Sequence, residues 1–296
     1  MKRILVIKLG ALGDFVLAFG PFAAIRAHHP ADRIVLLTTA PFVALAEASP
    51  WFDEVCVDRR PAWWNLPGIA VLRRSLRGFD FVYDLQTSGR SGHYHRLAGR
   101  PPWSGIARHA SHPDRDPRRN CLHTIDRQSG QLAAAGISKM PPPGLGWLAG
   151  TGPVLPVPYA LLVPGAAPHR PAKRWPADGF AALASVLEGQ GLRPVVVGAA
   201  ADRPLAERIR LQCPAALDMT GHTSLLELGG LAARAALAVG NDTGPMHLAA
   251  AAGCRSVVLF GGDSDPALTA PRGRVTVLRA AKLADLPVAR VAAALA

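Results

Sequence analysis

No two cysteines of this chain stand close together. Cys56, Cys121, Cys213 and Cys254 leave no Cys-x-x-Cys pair, which excludes a zinc site of ordinary spacing and fits reduced packing thiols in a cytosolic protein. Long apolar runs are missing as well: nothing reaches the roughly 18 residues of a membrane span. The opening MKRILVIKLGALGDFVLAF has the outline of a secretory signal. Lys8 and Asp14 interrupt it, however, where such a signal needs about 7–15 uninterrupted apolar residues. The Gly-x-Gly-x-x-Gly fingerprint is absent, so a NAD-dependent activity is not expected. Aromatics make up only 6% of the chain, with no zinc-finger, RRM or KH signature, and a nucleic-acid partner is therefore not expected. There is no low-complexity tract and no repeat of 20–50 residues.

What is present suits two domains. A chain of 296 residues divides comfortably at about 150, and 49% hydrophobic against 18% charged residues allows a real core in each half. The net charge of +12 points to an acidic partner, or else to arginine used simply for solubility.

Ile4–Ile7 is a short β-rich run, Gly10–Gly13 a turn, and Asp14 opens a helical pattern. Apolar runs recur at 34–38, 55–57 and 79–84, with helical patterns over 41–48 and 66–76 between them. Residues 99–127 show no clear period. From Arg90 to Arg127 there are eight Arg and five His against three Asp, so this segment either holds an acidic ligand or forms a solvated loop. The proline- and glycine-rich stretch 140–158 reads as the interdomain linker. The pattern then restarts, with strands at 160–163, 193–197, 237–240 and 256–260. Helices are expected from 176 to about 188, over 202–211, from the Ser224–Glu227 capping box, and over 245–252. A closing helix over 286–296 is a candidate to pack back on the first domain. Strands alternating with helices predict an α/β fold with a parallel, doubly wound sheet in each half, domains 1–150 and 151–296.

Three segments are built to carry chemistry. In Val239–His247 a strand ends, a glycine turn follows and a helix begins. The free amides and the dipole of that helix favour a diphosphate at Thr243 and Gly244, within reach of His247. Asp242 suits a sugar hydroxyl; the alternative is that Asp242 or Thr243 merely caps the helix. The loop Pro164–Pro176 follows a strand and is rich in cations, of which Arg170 and Lys173 either neutralise phosphate or are simply solvated. Asp14 stands behind Gly10-Ala11-Leu12-Gly13 at the carboxyl end of the first strand, where doubly wound sheets hold their ligands, as a general base or as a cap.

Together ILVIKLGALGDFV, PGAAPHRPAKRWP and VGNDTGPMHLAAAAG followed by VVLFGGDSDP resemble glycosyltransferase family 9, the ADP-heptose:lipopolysaccharide heptosyltransferases. The motifs agree in order and spacing over nearly the whole chain. The resemblance implies a GT-B architecture, two Rossmann-like domains facing a cleft, with the acceptor on the first and the donor on the second. It implies an inverting transfer that uses no metal and no cofactor. The family's base maps onto Asp14 and its phosphate-contacting lysine onto Lys173. Asp242, Thr243, Gly244 and His247 match the residues that hold donor diphosphate and sugar. Two departures stand out. The glutamate that binds the donor ribose in some members is replaced by Gly198-Ala199-Ala200-Ala201-Asp202, where only Asp202 can substitute. Hydroxyl residues found before the lysine in some members are Pro168 and His169 here. The implied donor is ADP-heptose, and the implied acceptor is an acidic, lipid-linked glycan of the lipopolysaccharide core. The implied location is the cytoplasm, with peripheral contact at the inner membrane. The rival reading is a non-catalytic module that binds a nucleotide sugar or a glycan.

Overall fold

The computed structural model describes residues 1–167 and 170–295. Pro168 and His169, one of the two departures above, fall outside them. The chain divides into two compact units, Met1–Gly144 and Leu145–Ala296.

The first unit runs β1 (Arg3–Ile7), α1 (Leu12–Val16), α2 (Phe19–His28), β2 (Arg33–Thr38), α3 (Val43–Glu47), β3 (Glu54–Val57), α4 (Leu66–Ser75), β4 (Phe81–Asp84), α5 (Gly89–Leu97), β5 (Trp103–Gly105), β6 (His112–Pro113) and α6 (Thr124–Ala134). Its sheet has the order β3-β2-β1-β4-β5-β6, and every adjacent pair is parallel. The second unit runs α7 (Gly146–Ala149), β7 (Tyr159–Val163), α8 (Ala177–Gly189), β8 (Arg193–Val196), α9 (Arg203–Gln212), β9 (Leu217–Asp218), α10 (Leu225–Arg234), β10 (Leu237–Asn241), α11 (Gly244–Ala251), β11 (Ser256–Phe260), α12 (Pro266–Thr269), β12 (Val275–Arg279) and α13 (Val288–Ala293). Its order is β12-β11-β10-β7-β8-β9, again all parallel. Counted from its own first strand, each sheet has the doubly wound order 3-2-1-4-5-6. The strand order reverses beside β1 and β4 in one unit and beside β7 and β10 in the other, and ligands bind at such switch points.

Parallel strands covered on both faces must be apolar throughout, and these are: Ile4–Ile7, Tyr159–Val163 and Leu237–Val239 are all buried. β7 and β10 pair in parallel, with Val163 beside Gly240. A Cβ at Gly240 would meet the Val163 Cβ at 2.5 Å, so only glycine fits there.

The stretch read as irregular, 99–127, holds two short strands, β5 and β6, and the first turn of α6, with turns and loop between them. β5 and β6 are only three and two residues long, too short for a period to show. The two units divide after Gly144, inside the segment read as linker, and the later part of that segment is tied to the second unit. The Arg234 guanidinium donates to the carbonyls of Ala149, Thr151, Gly152 and Pro153, and the Thr151 hydroxyl donates to Leu226 O at 2.6 Å. These bonds fix 149–153 to α10. The closing helix α13 packs on α8 of its own unit, where Val291 and Leu295 join the core.

Candidate functional site

In the second unit the switch point brings together the loop after β7 and the turn after β10. Asn241, the fully buried last residue of β10, ties them. Its amide nitrogen donates to Pro164 O at 2.8 Å, and its Oδ1 accepts from the Trp175 N–H at 2.9 Å. Trp175 is held in turn by donating its ring N–H to Leu286 O at 2.9 Å. At the end of β11, Gly261 lets the cationic loop approach. A Cβ there would stand 2.9 Å from Ala172 O.

Lys173 closes this loop against the next turn. Its Nζ donates to Asp242 Oδ2 at 2.6 Å, with the two side chains only 14% and 5% exposed. His247 Nε2 lies 3.7 Å from the other carboxylate oxygen. Burial pushes the Asp242 carboxyl up, but His247, Lys173 and the Ser264 hydroxyl outweigh it and hold the group at about 2. Asp242 is therefore ionised at neutral pH. The buried Nδ1 of His247 has no hydrogen-bond partner, and such a group is available to a ligand.

Asp242 and Thr243 do not cap α11 through their side chains. Thr243 occupies the cap position with extended backbone, yet its hydroxyl donates to Asn241 O at 3.2 Å and makes no capping bond. The first amides of α11 thus keep their capacity for an anion. The sequence-predicted Lys173, Asp242, Thr243, Gly244 and His247 are brought together at one end of one sheet. Asp202 stands at the neighbouring strand end. Its carboxylate accepts from the Ala199 N–H at 2.9 Å and lies against Gly165 and Gly198, where an added Cβ would meet it at 2.5 and 2.7 Å. Arg174, set beside Lys173, is spent on the backbone, donating to Ala166 O at 2.7 Å.

In the first unit Asp14 is the third residue of α1. Ala11 takes the cap position, so Asp14 is not the cap. It lines a pocket of about 780 Å³ with Gly10, Thr39, Asp58, Arg59 and Arg60. Gly10 has φ +113° and packs on the Phe42 ring, which a Cβ would meet at 2.6 Å. Lys8, next in sequence to the pocket-lining Leu9, is a buried cation. It donates to Leu85 O at 3.1 Å. Burial pulls its ammonium down to about 8, while Asp14 and Asp84 oppose the shift and Arg127 adds to it. Burial pushes the Asp84 carboxyl up to about 6, although it accepts from the amides of Gln86 and Thr87. Asp14 therefore sits in the field of two cations, Lys8 and Arg127.

Asp-x-Asp spacing, suited to a divalent ion, occurs twice. Asp114 accepts from Arg119 at 2.8 Å and Asp116 pairs with Arg118, while Asp265 caps α12 through the Ala267 N–H. Among the described residues no three His, Cys, Asp or Glu side chains converge to hold a metal. Nor is any helix among them long and apolar enough to cross a membrane.

Residues 125–287, more than half of the chain, match the model of glycosyltransferase family 9 (heptosyltransferase). Lipooligosaccharide heptosyltransferase 2 of Haemophilus influenzae is 38% identical over 115 residues, 37% of this chain and 33% of that protein. Lipopolysaccharide heptosyltransferase 2 of Salmonella typhimurium is 36% identical over 106 residues, 34% of this chain and 30% of that one. The matches thus span about a third of the length of these curated relatives. Among solved structures, E. coli ADP-heptose lps heptosyltransferase II superposes with a TM-score of 0.79 at 23% identity, covering 99% of this chain and 97% of that one. E. coli heptosyltransferase WaaC with ADP does so at 0.83 and 21%, covering 98% and 97%. These likenesses show the GT-B-type fold of two Rossmann-like units. By its family match the chain belongs to glycosyltransferase family 9, the heptosyltransferases.

Proposed function

We propose that this protein moves a heptose from ADP-heptose to an acidic, lipid-linked glycan acceptor of the lipopolysaccharide core, with inversion and without a metal. The observation that carries the reading is the Lys173–Asp242–His247 cluster beside the start of α11, at the switch point of the second sheet. It pairs a cation and free amides, which suit a diphosphate, with a carboxylate kept ionised, which suits a sugar hydroxyl. As the anomeric bond breaks, the leaving ADP gains negative charge. Lys173 and the amides at Thr243 and Gly244 stabilise it as a metal otherwise would. His247 offers a further contact to the diphosphate. Asp202 accepts from a ribose hydroxyl of the donor. Asp14 takes the proton from the acceptor hydroxyl as it attacks, a role worth typically 10²–10⁴-fold. Arg59 and Arg60 at the rim of its pocket suit an acidic acceptor. The enzyme works in the cytoplasm, and a lipid-linked acceptor brings it to the inner face of the membrane.

The test is calorimetry with ADP and ADP-heptose on the wild-type protein and on Lys173→Ala. Binding of both, weakened in the variant, supports the reading. No binding of either nucleotide to the folded wild type refutes it, and leaves the non-catalytic glycan-binding module.

A further inference from the structure

The segment between β3 and the end of α4 departs from the usual pattern of a soluble surface. Trp64 is 85% exposed and Leu66 74%, and Trp63 and Val71 beside them are exposed too. Elsewhere among the described residues large apolar side chains at the surface stand singly or, at Val154 and Val157, as a pair, which is ordinary. Here four fall within nine residues of sequence. α4 explains part of the pattern. Leu72 and Leu76, four residues apart, are buried in the core, so Leu66, Val71, Arg73 and Arg74 are left outward.

The exposed aromatic is held in place. Arg90 stacks over the Trp63 ring at 4.8 Å and donates to Pro61 O at 2.8 Å and to the Tyr94 hydroxyl at 2.6 Å. The same hydroxyl donates to Asp58 at 2.5 Å, anchoring the start of the segment. Asn65 caps α4 by accepting from the Gly68 N–H at 3.0 Å. A built loop presents these side chains to water.

Charge identifies the occupant. From Arg59 to Phe79 there are five arginines and no Asp or Glu. Tryptophan prefers the boundary between headgroups and acyl chains, leucine and valine bury shallowly there, and arginine draws anionic headgroups. We propose that Trp63, Trp64, Leu66 and Val71, with Arg73 and Arg74, form a docking surface that seats the first unit on an anionic lipid bilayer. Val57, Arg59 and Arg60, at the start of the same segment, line the Asp14 pocket, so docking sets that pocket beside the lipid surface. This placement rests on the acceptor reading above; the docking itself does not.

The experiment is co-sedimentation of the full chain with vesicles of phosphatidylglycerol and phosphatidylethanolamine, and with vesicles of phosphatidylcholine alone, at about 0.1 M salt, where screening is moderate. Wild type should bind the anionic vesicles and scarcely the neutral ones. Arg73→Ala/Arg74→Ala should lower the apparent partition roughly 10- to 30-fold, and Trp64→Ser/Leu66→Ser at least about 10-fold. ADP calorimetry on the same variants should be unchanged, which separates lipid docking from the donor site and shows that the variants fold. Wild-type partition in both variants overturns the proposal, as does equal binding to both vesicles. Concentration-dependent dimerisation abolished by Trp64→Ser, without vesicle binding, also overturns it and assigns the patch to a second copy of the chain.

Discussion

The Lys173–Asp242 pair makes a prediction with opposite signs for folding and for binding. At 2.6 Å and nearly out of solvent, the pair is closer to a buried than to a surface ion pair. Lys173→Ala removes one partner and leaves a carboxylate with 5% exposure facing only His247 and Ser264. The expected cost in folding stability is about 2–4 kcal/mol, below the figure for a fully buried pair because Lys173 keeps some contact with water. Adding Asp242→Asn removes the stranded charge. The double variant should recover about 1.5–3 kcal/mol of that loss, read as the coupling energy of a denaturation cycle. Binding should not recover with it. Lys173→Ala should weaken ADP by about 1.5–3 kcal/mol, and the double variant by the same amount. Asp242→Asn alone frees Lys173 for phosphate, so ADP should bind as well as before or better. ADP-heptose, which needs the carboxylate for its sugar, should bind less well. Additive stability costs would show that the pair is not coupled. Unchanged ADP affinity in a folded Lys173→Ala protein would place the donor elsewhere.

Other consequences follow from the same geometry. Asn241→Ala strands the Trp175 N–H and the Pro164 carbonyl, and should cost roughly 2–4 kcal/mol in a urea melt while weakening ADP. Asp242, held at about 2 against an ordinary 3.8, contributes about 2.5 kcal/mol; this is fully present above pH 4 and disappears as pH falls through 2. Asp84, raised to about 6, acts in the other direction. Its buried charge erodes stability as pH rises from about 4 to 6, and Asp84→Asn should remove that slope from pH-dependent melting. With Lys173 and the start of α11 supplying the positive field, EDTA should leave the transfer rate unchanged; activity lost in chelator and restored by Mg²⁺ or Mn²⁺ would show that a metal does that work.

Much of the fold was legible because its signals are local. Buried parallel strands are apolar along their length, as at Ile4–Ile7 and Val257–Phe260, and the Ser224–Glu227 capping box announces its helix. The strands β5, β6 and β9 were not legible, since two or three residues cannot show a period. The division between the units, after Gly144, falls within the stretch read as linker; the anchoring of 149–153 was not legible, because it comes from Arg234, about eighty residues away. The donor cluster was visible as two motifs, but their direct pairing through Lys173 and Asp242 was not, because sequence spacing carries no distance across a sheet. Asn241 was overlooked as a strand residue. A polar side chain closing an otherwise apolar buried strand was the available signal. Lys8 was the same kind of signal, a charge within a run that otherwise buries completely.

The most direct test of the account is heptose transfer from ADP-heptose to a heptose-free core oligosaccharide, followed as acceptor-dependent ADP release. The wild-type protein should release ADP only when acceptor is present. Asp14→Asn should lower the rate by at least about 10², with ADP affinity retained, because the amide keeps the shape of the pocket and loses the base. A folded wild-type protein that binds ADP-heptose yet transfers nothing, or an Asp14→Asn variant that turns over at the wild-type rate, would contradict it.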